Sequence, residues 1–236
     1  MPIDLDALDL DSFSLCASTA DLTAEPDARD DADCVEFRMD LAEHPLDALA
    51  SYDGELPLLV TNRPHWEGGE TAPYGRLDAL AAAVEYDAVA AVDVELATLR
   101  GRPTGTNDVG VDELLNRAHD HDVAVVASVH DFTGTPDPRT LDALLGAAAS
   151  AGDVGKLAVT AHTTEEALAL LTATHRATAR GDRVATMAMG EAGSHTRAVA
   201  PVYGSRLGYA PVNAADATAP GQYDLATLRR LVDDLL

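Results

Sequence analysis

Eight short apolar runs, helical periodicity between most of them, and no Gly-rich dinucleotide turn or phosphate loop predict a (β/α)8 barrel for this chain of 236 residues. The runs recur at roughly 20 to 35 residue intervals, as βα units require. No shift in composition and no low-complexity linker divides the chain, so one barrel is expected to span 1–236. A doubly wound sheet is the alternative, and it lacks its usual Gly-rich first turn here.

The elements follow in order. The first run is 12–18 (SFSLCAS). Residues 19–32 hold Pro26 and little apolar periodicity, so the first helix shrinks to a turn or two, or is missing. The second run, 33–40, alternates with period two. Val35, Phe37 and Met39 share one face, which should meet the helices. Glu36, Arg38 and Asp40 share the other, which should point into the barrel or its mouth. The third run is 56–62 and the fourth 88–95, with a helical pattern at 75–86 between them. A second pattern at 109–120 precedes the fifth run, 122–130. A third at 138–151 leads to the sixth run, 153–160. The fourth pattern, 164–180, begins at Thr164 with Glu165 and Glu166 and stops at Gly181. Runs at 183–189 and 206–211 and a helix at 224–236 complete the set.

The charge excludes several classes of function. There are 40 Asp+Glu against 16 Lys+Arg, a net charge of −24. Nucleic acid and anionic membranes need a basic face, and no apolar segment is long enough to span a bilayer. The first eleven residues are acidic with no basic residue, unlike a secretory signal, so a cytoplasmic location is expected. Cys16 and Cys34 lie in strand-like segments. They can be cross-strand neighbours, and they read as buried reduced thiols. Acid spread along the whole chain, abundant alanine and few aromatics resemble proteins of salt-loving archaea, whose surfaces stay soluble in concentrated salt.

Of the 16 basic residues, 15 are arginine; the single lysine is Lys156. It shares a strand face with Val154 and Ala158, opposite Leu157 and Val159, in an apolar strand. A chain that has lost lysine elsewhere has reason to keep one where a guanidinium cannot serve: an amine can deprotonate and attack a carbonyl. His130 ends the fifth run, where barrel enzymes keep their chemistry, and strand neighbours bring it near Lys156. Three loops after strands carry further polar groups: Arg63 to Glu70, Met187 to Arg197, and Thr218 to Gln222. No H-E-x-x-H and no Cys/His cluster points to a metal. His65 stands near Glu67 with no clear role; the other histidines read as solvated.

The ordered segments E-F-R-x-D, R-x-x-x-E-G-G-E, D-V-E-L, S-x-H-D-F, D-x-x-K-x-A-V, M-A-M-G-x-x-G-x-x-x-R, Y-G-S and A-P-G-Q resemble type I 3-dehydroquinate dehydratase, from about the second strand to Gln222. The resemblance implies a (β/α)8 barrel enzyme of the shikimate pathway. It removes water from 3-dehydroquinate to give 3-dehydroshikimate, with no metal and no external cofactor, and dimers are common in that family. By motif, Lys156 is similar to the Schiff-base lysine, His130 to the general acid/base and Glu67 to the glutamate that supports it. Arg197 matches the arginine on the substrate carboxylate. Glu36, Arg38, Arg63 and Gln222 match residues that bind the ring hydroxyls. Met187 and Met189 match the methionines near the imine, and Thr218 falls where serine is frequent. Four features depart from the pattern: a short segment after the first strand, no N-terminal hairpin to close the barrel bottom, Thr196-Arg197 where Ser-Arg is usual, and Tyr209 where phenylalanine is frequent. Desolvation and Arg38, Arg63 and Arg197 are expected to favour the neutral amine of Lys156. A class I aldolase is the alternative enzyme, but the last strands show no phosphate nest. A non-catalytic scaffold has no need of a lysine in the core.

Overall fold

Apolar strands buried on both faces are the hallmark of parallel sheets covered by helices. The eight runs form β1 (Ser14–Thr19), β2 (Cys34–Arg38), β3 (Leu58–Thr61), β4 (Val89–Glu95), β5 (Ala124–Asp131), β6 (Val154–Thr160), β7 (Val184–Met189) and β8 (Leu207–Pro211). The computed structural model describes residues 8–102, 109–212 and 221–236. All strand pairings are parallel, in the order β7-β6-β5-β4-β3-β2-β1-β8. The ring nearly closes between β8 and β7. Ser205 bridges Val184, Arg206 N donates to Val184 O at 2.7 Å, and Thr186 N donates to Ser205 Oγ at 3.0 Å.

The helices are α1 (Pro45–Ala50), α2 (Arg76–Ala83), α3 (Leu96–Leu99), α4 (Val111–Asp120), α5 (Pro138–Ala149), α6 (Thr164–Ala179), α7 (Thr196–Val199) and α8 (Leu225–Asp233). Those with a visible period fall inside the windows read from sequence. The short α1, α3 and α7 span too few turns to show one. After β1 the chain makes a 3-10 helix over Leu22–Ala28, with Pro26 inside it and Asp21 accepting from Thr23 N. Proline cannot donate to an α-helical ladder, so the tighter single piece replaces a helix there. α6 begins at Thr164, as expected, and Thr163 caps it in a reciprocal capping box with Glu166. Gly181 follows its end at φ +91°, as expected of a stop.

Two layers of core result. Inside the ring, Cys16, Cys34, Leu59, Ala91, Val126, Val154, Ala185 and Leu207 fill the lower barrel. Outside it, strand residues of the opposite parity pack against helices. Val35, Phe37 and Met39 meet Leu49 of α1 and Leu77 and Leu80 of α2, while Leu157 and Val159 meet Leu141 and Leu145 of α5 and Leu170 of α6. One close approach places the site. A Cβ at Gly155 would lie 2.4 Å from Ala149 N, so only glycine lets the end of α5 press on β6 beside Lys156. Leu8, with Leu10 against it, packs into the lower layer, and Arg183 and Arg206 both bond Asp11. The N-terminal segment therefore covers the barrel bottom without a strand among its described residues. Cys16 and Cys34 are register partners, buried and free, with their sulfurs 2.7 Å apart. No helix among the described residues is long and apolar enough to cross a membrane.

Candidate active site

The inward parity of β1, β2, β5, β6, β7 and β8 converges on one cavity of ≈ 280 Å³ at the C-terminal ends of the strands. Its lining includes Glu36, Arg38, Arg63, Glu67, His130, Lys156, Met187, Met189, Arg197 and Gln222. The structure thus gathers every site residue expected from sequence except Thr218, which lies outside the described residues.

Lys156 is 3 % exposed, and its amine is ringed by anions and an aromatic face. Nζ donates to Asp93 Oδ2 at 3.1 Å, lies 3.6 Å from Glu36 Oε1, and sits 4.0 Å from the centre of the Tyr209 ring. Two carboxylates and one ring face thus surround the amine. The arginines expected to crowd the amine act at one remove. Arg63 NH2 donates to the same Asp93 oxygen at 2.8 Å, and its NH1 donates to Ser128 Oγ at 2.6 Å and Glu95 Oε1 at 3.2 Å. Arg38 is held in a two-pronged bond by Asp40, at 2.8 and 2.6 Å. Glu36 accepts from Ser18 Oγ at 2.5 Å and Thr61 Oγ1 at 3.2 Å. Burial alone would raise Asp93, but Arg63 and Lys156 hold it far below the usual carboxylate range.

His130 Nδ1 lies 2.9 Å from Glu67 Oε2. Burial pushes Glu67 up to about 8, with Arg63 opposing and Glu95 and Asp93 assisting. Burial, with Arg63 and Lys156 nearby, pushes His130 well below its ordinary value. The imidazole is therefore neutral at physiological pH. The proton on the Nδ1–Oε2 contact decides whether the other ring nitrogen accepts or donates. The loop bearing Glu67 is tight: a Cβ at Gly69 would meet Arg63 O at 2.0 Å, and His65 Nδ1 contacts Gly69 O at 3.1 Å. His65 thus shapes the loop. Phe132 stacks on His130 with ring centres 6.2 Å apart and covers its outer side.

Arg197 is the exception among the buried cations. It is 5 % exposed, its Nε has no partner, and no carboxylate pairs with it among the described residues. Burial pushes it down to about 10. A buried guanidinium without an anion, facing a cavity, has the charge and the fork to receive a carboxylate.

Sequence reasoning missed Asp93, Glu95, Ser128 and Ser18. A signal for the first two existed: in β4 they alternate with Val94 on one face of an otherwise apolar strand, the same parity that marked Glu36 and Arg38. Ser18 and Ser128 are small hydroxyls whose partners only the barrel brings near.

The chain matches the family model for type I 3-dehydroquinase over residues 17–235. It is 58 % identical over 229 residues to a 3-dehydroquinate dehydratase of Haloarcula marismortui, covering 97 % of this chain and 98 % of that one. It is 52 % identical to the Halobacterium salinarum 3-dehydroquinate dehydratase, covering 97 % and 100 %. Among solved structures, 3-dehydroquinate dehydratase from Geobacillus kaustophilus superposes with a TM-score of 0.80 at 29 % identity, covering 95 % of this chain and 91 % of that one. The type I enzyme from Clostridium difficile, covalently modified by comenic acid, also gives 0.80, at 27 % identity and coverage of 95 % and 92 %. A matching ring of strands, a buried lysine at its mouth and relatives of this closeness lead to one conclusion: the chain belongs to the type I 3-dehydroquinase family.

Proposed function

We propose that the whole chain serves as one catalytic barrel that dehydrates 3-dehydroquinate to 3-dehydroshikimate through an imine on Lys156. The observation that carries this reading is one buried amine, one neutral histidine and one unpaired guanidinium around a single cavity.

The substrate is a β-hydroxy ketone with a carboxylate. The carboxylate meets Arg197, which restores the missing counter-ion. Lys156 as the free amine attacks the ketone carbon, and the carbinolamine loses water to give a cationic imine. Asp93 and Glu36 favour that cation, and the iminium acts as the electron sink for the adjacent carbon. With Glu67 ionised and accepting from Nδ1–H, the other ring nitrogen of His130 is free and takes a proton from that carbon. The hydroxyl on the next carbon leaves with a proton returned by His130, forming the double bond. Water then hydrolyses the imine, so one water is lost overall. Acid/base assistance of this kind is worth about 10²–10⁴-fold. The lysine nitrogen supplies the electron sink, so the reaction as drawn needs no metal ion and no external cofactor. Met187 and Met189 pack at the cavity wall, and Arg38, Arg63, Glu36, Gln222 and Thr218 are the proposed contacts of the ring hydroxyls.

The test is chemical trapping. Borohydride added with 3-dehydroquinate should give a stable mass adduct on Lys156, and conjugated enone absorbance should appear without reductant. Lys156→Arg keeps the charge and should abolish both. Turnover by that variant would rule out the imine.

A further inference from the structure

Arg76 is the first residue of α2 and 1 % exposed, yet it lines no part of the cavity. A guanidinium so placed is costly unless anions and acceptors meet it. Its NH2 donates to Glu95 Oε2 at 2.5 Å and to Thr98 Oγ1 at 2.6 Å, and its NH1 donates to Asn62 O at 3.4 Å. The other oxygen of Glu95 accepts from Arg63. One carboxylate therefore grips both ends of a single loop, Arg63 at its start and Arg76 at its close. Asn62 reinforces the neck: its Nδ2 donates to Arg76 O at 3.2 Å, and its Oδ1 accepts from Thr71 Oγ1 at 2.7 Å. Between these ends the loop folds back on itself by the Pro64–Thr71 bridge. Glu67 rides on it, against His130.

We propose that Arg76 is a positioning residue for proton transfer: through Glu95 it fixes the neck of the 63–76 loop, and so the place from which Glu67 orients His130. The inference rests on the reading that Lys156 forms the imine and His130 moves the proton. It weights the two steps differently, because Glu67 rides on the loop that Arg76 closes, whereas Lys156 is held by Asp93 and Glu36, which Arg76 reaches only through Glu95 and Arg63. Loss of Arg76 should therefore spare imine formation and slow elimination.

Arg76→Met and Arg76→Lys, in the full chain at molar KCl, test this with 3-dehydroquinate. In Arg76→Met, borohydride-trapped adduct on Lys156 should form at a rate within about threefold of wild type. Its kcat should fall about 10- to 100-fold, the range for a misplaced proton-transfer group, with KM nearly unchanged. The limb of the kcat pH profile that belongs to Glu67 and His130 should move while that of adduct formation stays. Arg76→Lys keeps the charge without the fork, and its kcat should fall between the two; it also decides the matter where the methionine variant does not fold. Wild-type kcat in a folded Arg76→Met, or in Arg76→Lys when only that one folds, overturns the positioning role. So does a parallel fall of adduct formation and elimination. Absence of any adduct in the wild type refutes the imine reading itself and this inference with it.

Discussion

Replacing Arg197 with methionine should make the free protein more stable and the enzyme nearly inactive. The magnitude follows from burial. Desolvation pushes the guanidinium down from its ordinary value to about 10, with only Tyr223 opposing. At 1.36 kcal/mol per pH unit, the charged form costs the fold up to about 3 kcal/mol. The sign is that of a base whose folded value is depressed. Below about pH 10 both states are protonated and the penalty is complete; it is relieved only as pH rises above about 10, where the folded state releases its proton first. Methionine fills similar volume without charge, so at neutral pH the variant should regain a large part of that energy. For a chain of this length, 1 kcal/mol moves Tm by about 2–4 °C, giving a rise of up to about 6–12 °C. Thermal unfolding of both proteins at the same molar KCl reads this directly. Added product should raise Tm in the wild type by supplying the absent carboxylate, and should do so far less in the variant. The kcat/KM of the variant should fall about 100-fold, the worth of a charge-assisted two-pronged contact. A variant that melts at or below the wild-type temperature refutes the claim that Arg197 is an unpaired buried charge held for a ligand.

Two further outcomes follow from the same groups. Burial holds Glu67 at about 8 against 4.5, so the folded state keeps a proton that the unfolded chain has lost, and this contribution is lost as pH rises toward 8. His130, pushed below 6.5, acts in the opposite sense, but only up to about 6.5. Between about 6.5 and 8, stability in denaturant should therefore decline with pH, and Glu67→Gln should flatten the decline; a wild-type curve that rises across that interval contradicts the assignment. The net charge of −24 gives the last prediction: Tm should drop on passing from molar to millimolar KCl, as the screening length grows from about 3 Å to tens of ångströms. A flat or rising Tm rules out salt screening as the reason the acidic surface is tolerated.

The legible part of the chain was what period and composition encode. Alternation along β2 put Glu36 and Arg38 inside and Val35, Phe37 and Met39 against the helices, and the barrel keeps that parity. Lys156 stood out because it is the only lysine. Partnership was less legible. Asp93 and Glu95 show their parity in sequence, but their roles come from Arg63 and Arg76, which arrive from other elements. That Arg63 meets Lys156 through Asp93 was hidden for the same reason. The 3-10 helix at Leu22–Ala28 was visible only as a weak pattern around Pro26, since a single tight piece carries too few residues to reveal a period.

Charge balance inside the barrel explains how so acidic a molecule can hold an anion. Lys156 faces Asp93 and Glu36, Arg63 faces Asp93 and Glu95, Arg76 faces Glu95, and Arg38 faces Asp40. Each of these cations is neutralised within the wall, and Arg38 cannot leave Asp40, nor Lys156 leave Glu36, without an unpaired buried carboxylate, a loss of about 3–5 kcal/mol. A substrate carboxylate competing for them would have to break such a pair first. Arg197 has no carboxylate to displace among the described residues, so binding there exchanges an existing penalty for a contact. Long-range repulsion from the surface acts on the approach and is weakened by salt, whereas the contact with Arg197 is short and dry. On the proposed reading, recognition rests on one uncompensated cation and not on the sign of the whole protein. Placing an aspartate within reach of Arg197 should stabilise the fold and raise KM together.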